Sequence, residues 1–145
     1  MTVTHYRAIH RHLFGDVYAW AGQLRTVRIA KGGNAFCYPE NIAAELRRLF
    51  GWLRSERYLR DLPPAEFATK AAHFLAELNA VHPFREGNGR AQSALLAVLA
   101  AKAGHKLAFE RLDPAAMLAA MIRSFQGDEK PLARQIAALM RGRRR

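Results

Sequence analysis

Nine consecutive residues, His82-Pro83-Phe84-Arg85-Glu86-Gly87-Asn88-Gly89-Arg90, bring together an imidazole, a carboxylate, two guanidiniums and two glycines. An imidazole with an ordinary pKa of about 6.5 is available as a general base near neutral pH, which makes His82 the candidate base. Glu86 is a hard oxygen ligand of the kind that holds Mg²⁺ between phosphates. Gly87, Asn88 and Gly89 can take backbone geometries that turn successive N–H groups toward an anion. They also lead into a helix N-terminus, where unpaired N–H groups and the macrodipole favour negative charge. Arg90 stands in the first turn of that helix, where its charge mildly opposes the dipole, and a bound phosphate would offset the cost. Base, metal ligand, anion nest and arginine together describe nucleotidyl or phosphoryl transfer. Each part alone has a plainer reading: a histidine at a helix end is commonly a cap, Gly-Asn-Gly is commonly a turn, and Phe84 is core in either case. Their coincidence within nine residues at a helix start favours a site.

Two long helices must hold this segment. Phe67, Ala71, Phe74, Leu75 and Leu78 recur at helical spacing over residues 65–81, and an Ala/Leu-rich pattern runs over 90–103 before Gly104. Residues 82–89 contain a proline and two glycines and cannot stay helical. Upstream, Thr4 is the expected N-cap of a helix carrying Tyr6, Ile9, Leu13 and Phe14, stopped by Gly15-Asp16. A short helical turn around Val17, Tyr18 and Trp20 ends at Gly22. The β-branched stretch with Leu24, Val27 and Ile29, followed by Lys31-Gly32-Gly33-Asn34, predicts a hairpin over 26–38. Pro39 opens a helix whose apolar face is Ile42, Leu46, Leu49, Phe50 and Leu53, with Arg47, Arg48 and Arg54 outward. Asp61-Leu62-Pro63-Pro64 breaks the chain, and two last helices are expected over 114–125 and 129–140. The fold class is all-α with one small β-hairpin inserted early.

The chain of 145 residues fits one domain, 1–145. A single cysteine, Cys37, excludes an internal disulfide and the secreted disulfide-framework class. The richest apolar run, 94–103, is too short to span a bilayer, and the opening residues lack a signal peptide's apolar segment. A cytoplasmic protein is therefore expected. The formal charge is +11, and Arg141, Arg143, Arg144 and Arg145 concentrate part of it in a basic tail, 141–145. The remainder is a basic surface suited to an anionic ligand or an acidic protein partner. With no basic recognition helix and no aromatic stacking pattern, a nucleic-acid partner is not favoured.

The nine residues resemble the signature of the Fic family, His-Pro-Phe-x-(Asp/Glu)-Gly-Asn-Gly-Arg-x-x-Arg. The likeness extends to Thr4–Phe14 with Asp16-Val17-Tyr18-Ala19-Trp20-Ala21-Gly22, which are similar to the family's opening helix and turn. Residues 25–32 with Phe36-Cys37 resemble the flap hairpin that overhangs the active site. The resemblance implies a Fic-fold helical bundle that transfers AMP from ATP to a Tyr, Ser or Thr hydroxyl of another protein and releases pyrophosphate. It implies His82 as general base, Glu86 as the Mg²⁺ ligand, and Gly87, Asn88, Gly89 and Arg90 as phosphate contacts, the Asn88 side chain helping to place the α-phosphate. Lys31 and Gly32 of the flap are implied to lie near the nucleotide, with the target laid along the flap as an added strand. Gly89 departs from the phosphate-transferring relatives, which carry Lys there.

One further position differs from the signature: Ser93 stands where its last arginine would be. In the family that arginine contacts the γ-phosphate and pairs with an inhibitory glutamate. The inhibitory pattern (Ser/Thr)-x-x-x-Glu-(Gly/Asn) is not met by the nearest candidate, Ser124 to Asp128. An antitoxin-like partner carrying the inhibitory helix, or a segment outside this sequence, is therefore expected. The toxin- or effector-like reading would place the chain in its own cytosol or deliver it into that of another cell. The alternatives are a catalytically weakened, nucleotide-dependent protein-binding module, and a nucleic-acid binder driven by charge. The intact His82 and Glu86 speak against the first.

Overall fold

The computed structural model describes residues 1–31 and 33–140, with the backbone alone at Asn34. Gly32 and the basic tail 141–145, both singled out in the sequence, lie outside the described residues. The chain runs as α1 (Val3–Phe14), β1 (Ala30–Lys31), β2 (Asn34–Ala35), α2 (Pro39–Ser55), α3 (Pro64–Val81), α4 (Asn88–Ala103), α5 (Pro114–Phe125) and α6 (Lys130–Met140). Short 3₁₀ turns at Arg57–Leu59 and Phe109–Arg111 complete it. The all-α class with a small hairpin holds.

Prolines open α2, α3 and α5, where the missing N–H is not needed and the fixed φ suits a first helical turn. The N-cap of α1 is Thr2, two residues before the expected Thr4. Thr2 Oγ1 accepts from the His5 backbone N–H at 3.3 Å, and His5 Nδ1 accepts from the Thr2 N–H at 3.2 Å. A histidine thus closes a capping box normally written with Glu or Gln. The segment 17–22 forms turns rather than a helix, and Gly22 at φ +81° ends it.

α3 lies at the centre, packed against α2, α4, α5 and α6, while α1 packs on α4 and α2. Phe67, Phe74 and Leu78 of α3 are fully buried, and the apolar face of α2 is the expected one. Tyr6 joins α1 to this core, its ring 5.3 Å from Phe84 and 5.9 Å from Phe50. Buried rings of this kind each contribute about 1.5–3 kcal/mol, so Phe84 fastens the segment after α3 into the bundle.

The hairpin is shorter than 26–38. Ala30 pairs with Ala35 and Lys31 with Asn34 in antiparallel register. The ladder stops at Ala35, although the Phe36 N–H still reaches the Ile29 carbonyl at 3.1 Å, and the Phe36 ring turns inward to meet Phe125 of α5 edge-on at 5.4 Å.

Candidate active site

A cleft of about 440 Å³ lies between this hairpin and the turn joining α3 to α4. Val27, Ile29 and Lys31 line it from the flap, His82 and residues 85–89 from the turn, and Trp20 from the side.

α3 ends at Val81 with His82 as its C-cap, since Pro83 disfavours the right-handed helical backbone at the residue before it. His82 takes the left-handed conformation, φ +48° and ψ +63°, and its N–H still reaches the Leu78 carbonyl at 3.0 Å. The ring is 8% exposed and stacked flat on Phe36, centroids 3.9 Å apart and planes 10° apart. Nδ1 is fully enclosed, near the Asn79 carbonyl but without a hydrogen bond of ordinary geometry. Nε2 is therefore the nitrogen left to meet a substrate. Burial first, then the charges of Lys31 and Arg25, lower the imidazole's pKa to about 4. At neutral pH the ring carries no charge.

α4 begins at Asn88, two residues earlier than its apolar pattern suggested, because Gly87 at φ +81° is its N-cap. A Cβ on Gly87 would stand 2.4 Å from Phe14 Cε2, so this position needs glycine for both space and backbone. Asn88 and Gly89 are accordingly the first helical residues. The N–H groups offered to an anion are those of a helix start, not of alternating turn residues. The Asn88 side chain is committed: Nδ2 donates to the Phe84 carbonyl at 2.7 Å and Oδ1 accepts from the Phe84 N–H at 3.0 Å. Around Gly89 there is open space. Glu86 is exposed at the cleft. Arg90 is exposed, its guanidinium 5.1 Å over the Phe14 ring, and it does not line the cleft in this structure. Asn79 Oδ1 accepts a long 3.4 Å bond from Gln92, tying α3 to α4.

Sequence reasoning missed two residues. His10, fully buried, accepts the Gly22 N–H on Nδ1 at 2.9 Å and donates from Nε2 to the Glu86 carbonyl at 2.8 Å, which fixes its tautomer. Its ring lies 3.9 Å from Phe84. A signal existed: Tyr6, His10 and Phe14 fall on one face of α1 at i, i+4, i+8. Arg25, 3% exposed, donates to the carbonyls of His82, Val27, Cys37 and Val81. No periodicity marks it.

Among the described residues no three His, Cys, Asp or Glu side chains gather into a metal cage. A lone exposed carboxylate fits Mg²⁺, which keeps waters and binds through one or two carboxylates plus substrate phosphates. A cleft roofed by a hairpin and floored by a helix start, with Lys31, Arg85 and a lone carboxylate in its lining, suits a phosphorylated ligand.

The Fic/DOC family model matches residues 1–100, and the chain belongs to that family. A probable protein adenylyltransferase of Sinorhizobium fredii, y4lH, is 53% identical over 137 residues, covering 94% of this chain and 71% of that protein. The protein adenylyltransferase VbhT of Bartonella schoenbuchensis is 40% identical over 124 residues, 86% of this chain and 26% of that one. The crystal structure of the BepC effector of Bartonella tribocorum with bound AMPPNP superposes with a TM-score of 0.87 at 26% identity. It covers 99% of this chain and 76% of that one.

Proposed function

We propose that this chain is an enzyme that transfers the AMP moiety of ATP to a Tyr, Ser or Thr hydroxyl of another protein. The carrying observation is His82: an uncharged ring with one enclosed nitrogen, held under the flap and beside the N-terminus of α4. The adenylyltransferase names of the relatives and the ATP analogue bound in BepC support the same reading. His82 Nε2 takes the proton of the target hydroxyl as its oxygen attacks the α-phosphorus, and the bond to the β-phosphate oxygen breaks to release pyrophosphate. The N–H groups of Asn88 and Gly89 cradle the phosphates. Asn88 contributes by its backbone, since its amide already holds Phe84. Glu86 holds the Mg²⁺, which when bound neutralises phosphate charge, and Arg90 swings from Phe14 toward the leaving pyrophosphate. Lys31 faces the nucleotide from the flap.

The target lies along the flap as an added strand, a geometry that suits the exposed two-residue edge at Ala30–Lys31. Inhibition is assigned to an antitoxin-like partner or to a segment outside this sequence, with Ser124 to Asp128 already engaged: Asp128 pairs with Arg123 at 2.7 Å and accepts from the Lys130 N–H opening α6. No described helix is long and apolar enough to cross a membrane, and the reaction is assigned to a cytosol, this cell's or another's.

Incubation with labelled ATP and Mg²⁺ in a cell lysate, followed by mass spectrometry, should find AMP on protein hydroxyls. His82→Ala should lower labelling by about 10²–10⁴-fold while ATP still binds, and chelation should silence the parent. Labelling by His82→Ala at the parent rate would refute the base assignment.

A further inference from the structure

Arg25 is a buried guanidinium with no carboxylate paired to it among the described residues. Instead it spends four of its five N–H donors on main-chain carbonyls from three places. Nε reaches His82 at 2.7 Å, Nη1 reaches Val27 at 2.7 Å, and Nη2 is shared by Cys37 and by Val81 at 3.1 Å. Val27 enters the flap, Cys37 leaves it, and Val81 and His82 end α3. Two main-chain bonds run alongside: Arg25 N–H to Pro83 at 2.9 Å and Cys37 N–H to Ala80 at 3.1 Å. A planar fork can satisfy carbonyls in these directions at once, whereas an ammonium cannot.

We propose that Arg25 is a positioning residue for the transfer: its guanidinium clamps both ends of the flap to the end of α3 and so fixes His82 beneath the docked target. The clamp holds His82 in the strained left-handed backbone that Pro83 leaves it. It also sets the height of the flap, through which Phe36 covers the imidazole. Because the charge is not neutralised, it acts on His82 together with Lys31 from β1. Arg85 and Glu86 face the same cleft from the turn, and the Cys37 thiol lies beside Arg25 itself.

The inference rests on His82 being the base, and two substitutions separate its parts. Arg25→Lys keeps the charge and loses the fork; Arg25→Gln loses both. Hydrogen exchange at the Phe36 and Cys37 amides should quicken about tenfold or more in both variants, with α6 unchanged. Label transfer in lysate should fall at least tenfold in both. ATP affinity, measured by calorimetry with His82→Ala as background, should stay within about threefold for Arg25→Lys. Only Arg25→Gln should raise the His82 titration followed by NMR, by about one pH unit. Parent-like flap exchange and an unmoved His82 titration in Arg25→Gln overturn the inference. If neither variant folds, Arg25 serves the fold alone and the inference also falls. A parent protein that labels nothing refutes the transfer reading instead, and leaves the exchange and titration results to judge the clamp.

Discussion

Burial acts on His82 in two opposed ways. It keeps the ring uncharged at pH 7, as a base must be, yet a pKa near 4 makes the ring a reluctant proton acceptor. The triphosphate of bound ATP would favour the imidazolium and restore basicity where it is needed. The acid limb of kcat/KM, which reports the free enzyme, should therefore fall near pH 4, and that of kcat should lie higher; label incorporation measured from pH 4 to 8 checks both. The same shift bears on stability. A folded pKa below the unfolded value of about 6.5 means stability is fullest above pH 6.5 and is lost as pH falls toward 4. His10, also lowered by burial, adds to the trend. His82→Ala should flatten part of that loss in denaturant titrations. Ser93, exposed on α4, carries the other prediction at this scale. Ser93→Arg should tighten ATP about ten- to a hundredfold by a charge-assisted phosphate contact, read by calorimetry on the His82→Ala background. Equal affinities would mean Arg85 or Lys31 already serves that phosphate.

At the scale of elements, the junction between α3 and α4 depends on Gly87 far more than on Gly89. Gly87→Ala puts a methyl into Phe14 at a left-handed backbone position and should destabilise by about 1–3 kcal/mol with loss of transfer. Gly89→Ala, helical and in open space, should leave thermal stability equal or raised. Thermal melts of the two variants decide the contrast. Most of this architecture was legible: prolines and apolar spacing gave α2, α3 and α5 nearly residue by residue, since those signals are local. What failed was tertiary. Thr4 lost the cap to Thr2 because His5 answers from within the same first turn, and the hairpin is short because from Cys37 the main chain bonds to Ala80 of α3 while the Phe36 ring stacks on His82. The candidate site was legible as one contiguous segment, whereas its supports, His10 and Arg25, act on main chain far along the sequence.

Across the whole molecule, Lys31 and Arg85 line the cleft against the single carboxylate of Glu86, a positive balance that favours capture of an anionic nucleotide from solution. The cleft also depends on contacts far apart in the sequence. His10 and the Glu86 carbonyl it holds are 76 positions apart, and Arg25 and His82 are 57 apart. Such contacts must overcome loop-closure entropy before they are rewarded, so they tend to form late. On a ribosome, helix α1 emerges before α3 and waits for it and the following turn before its histidine can hold the Glu86 carbonyl. A nascent chain would thus already have α1 and α2 while its chemistry was still absent. The delay between making the polypeptide and arming it is written into the distance between His10 and Glu86.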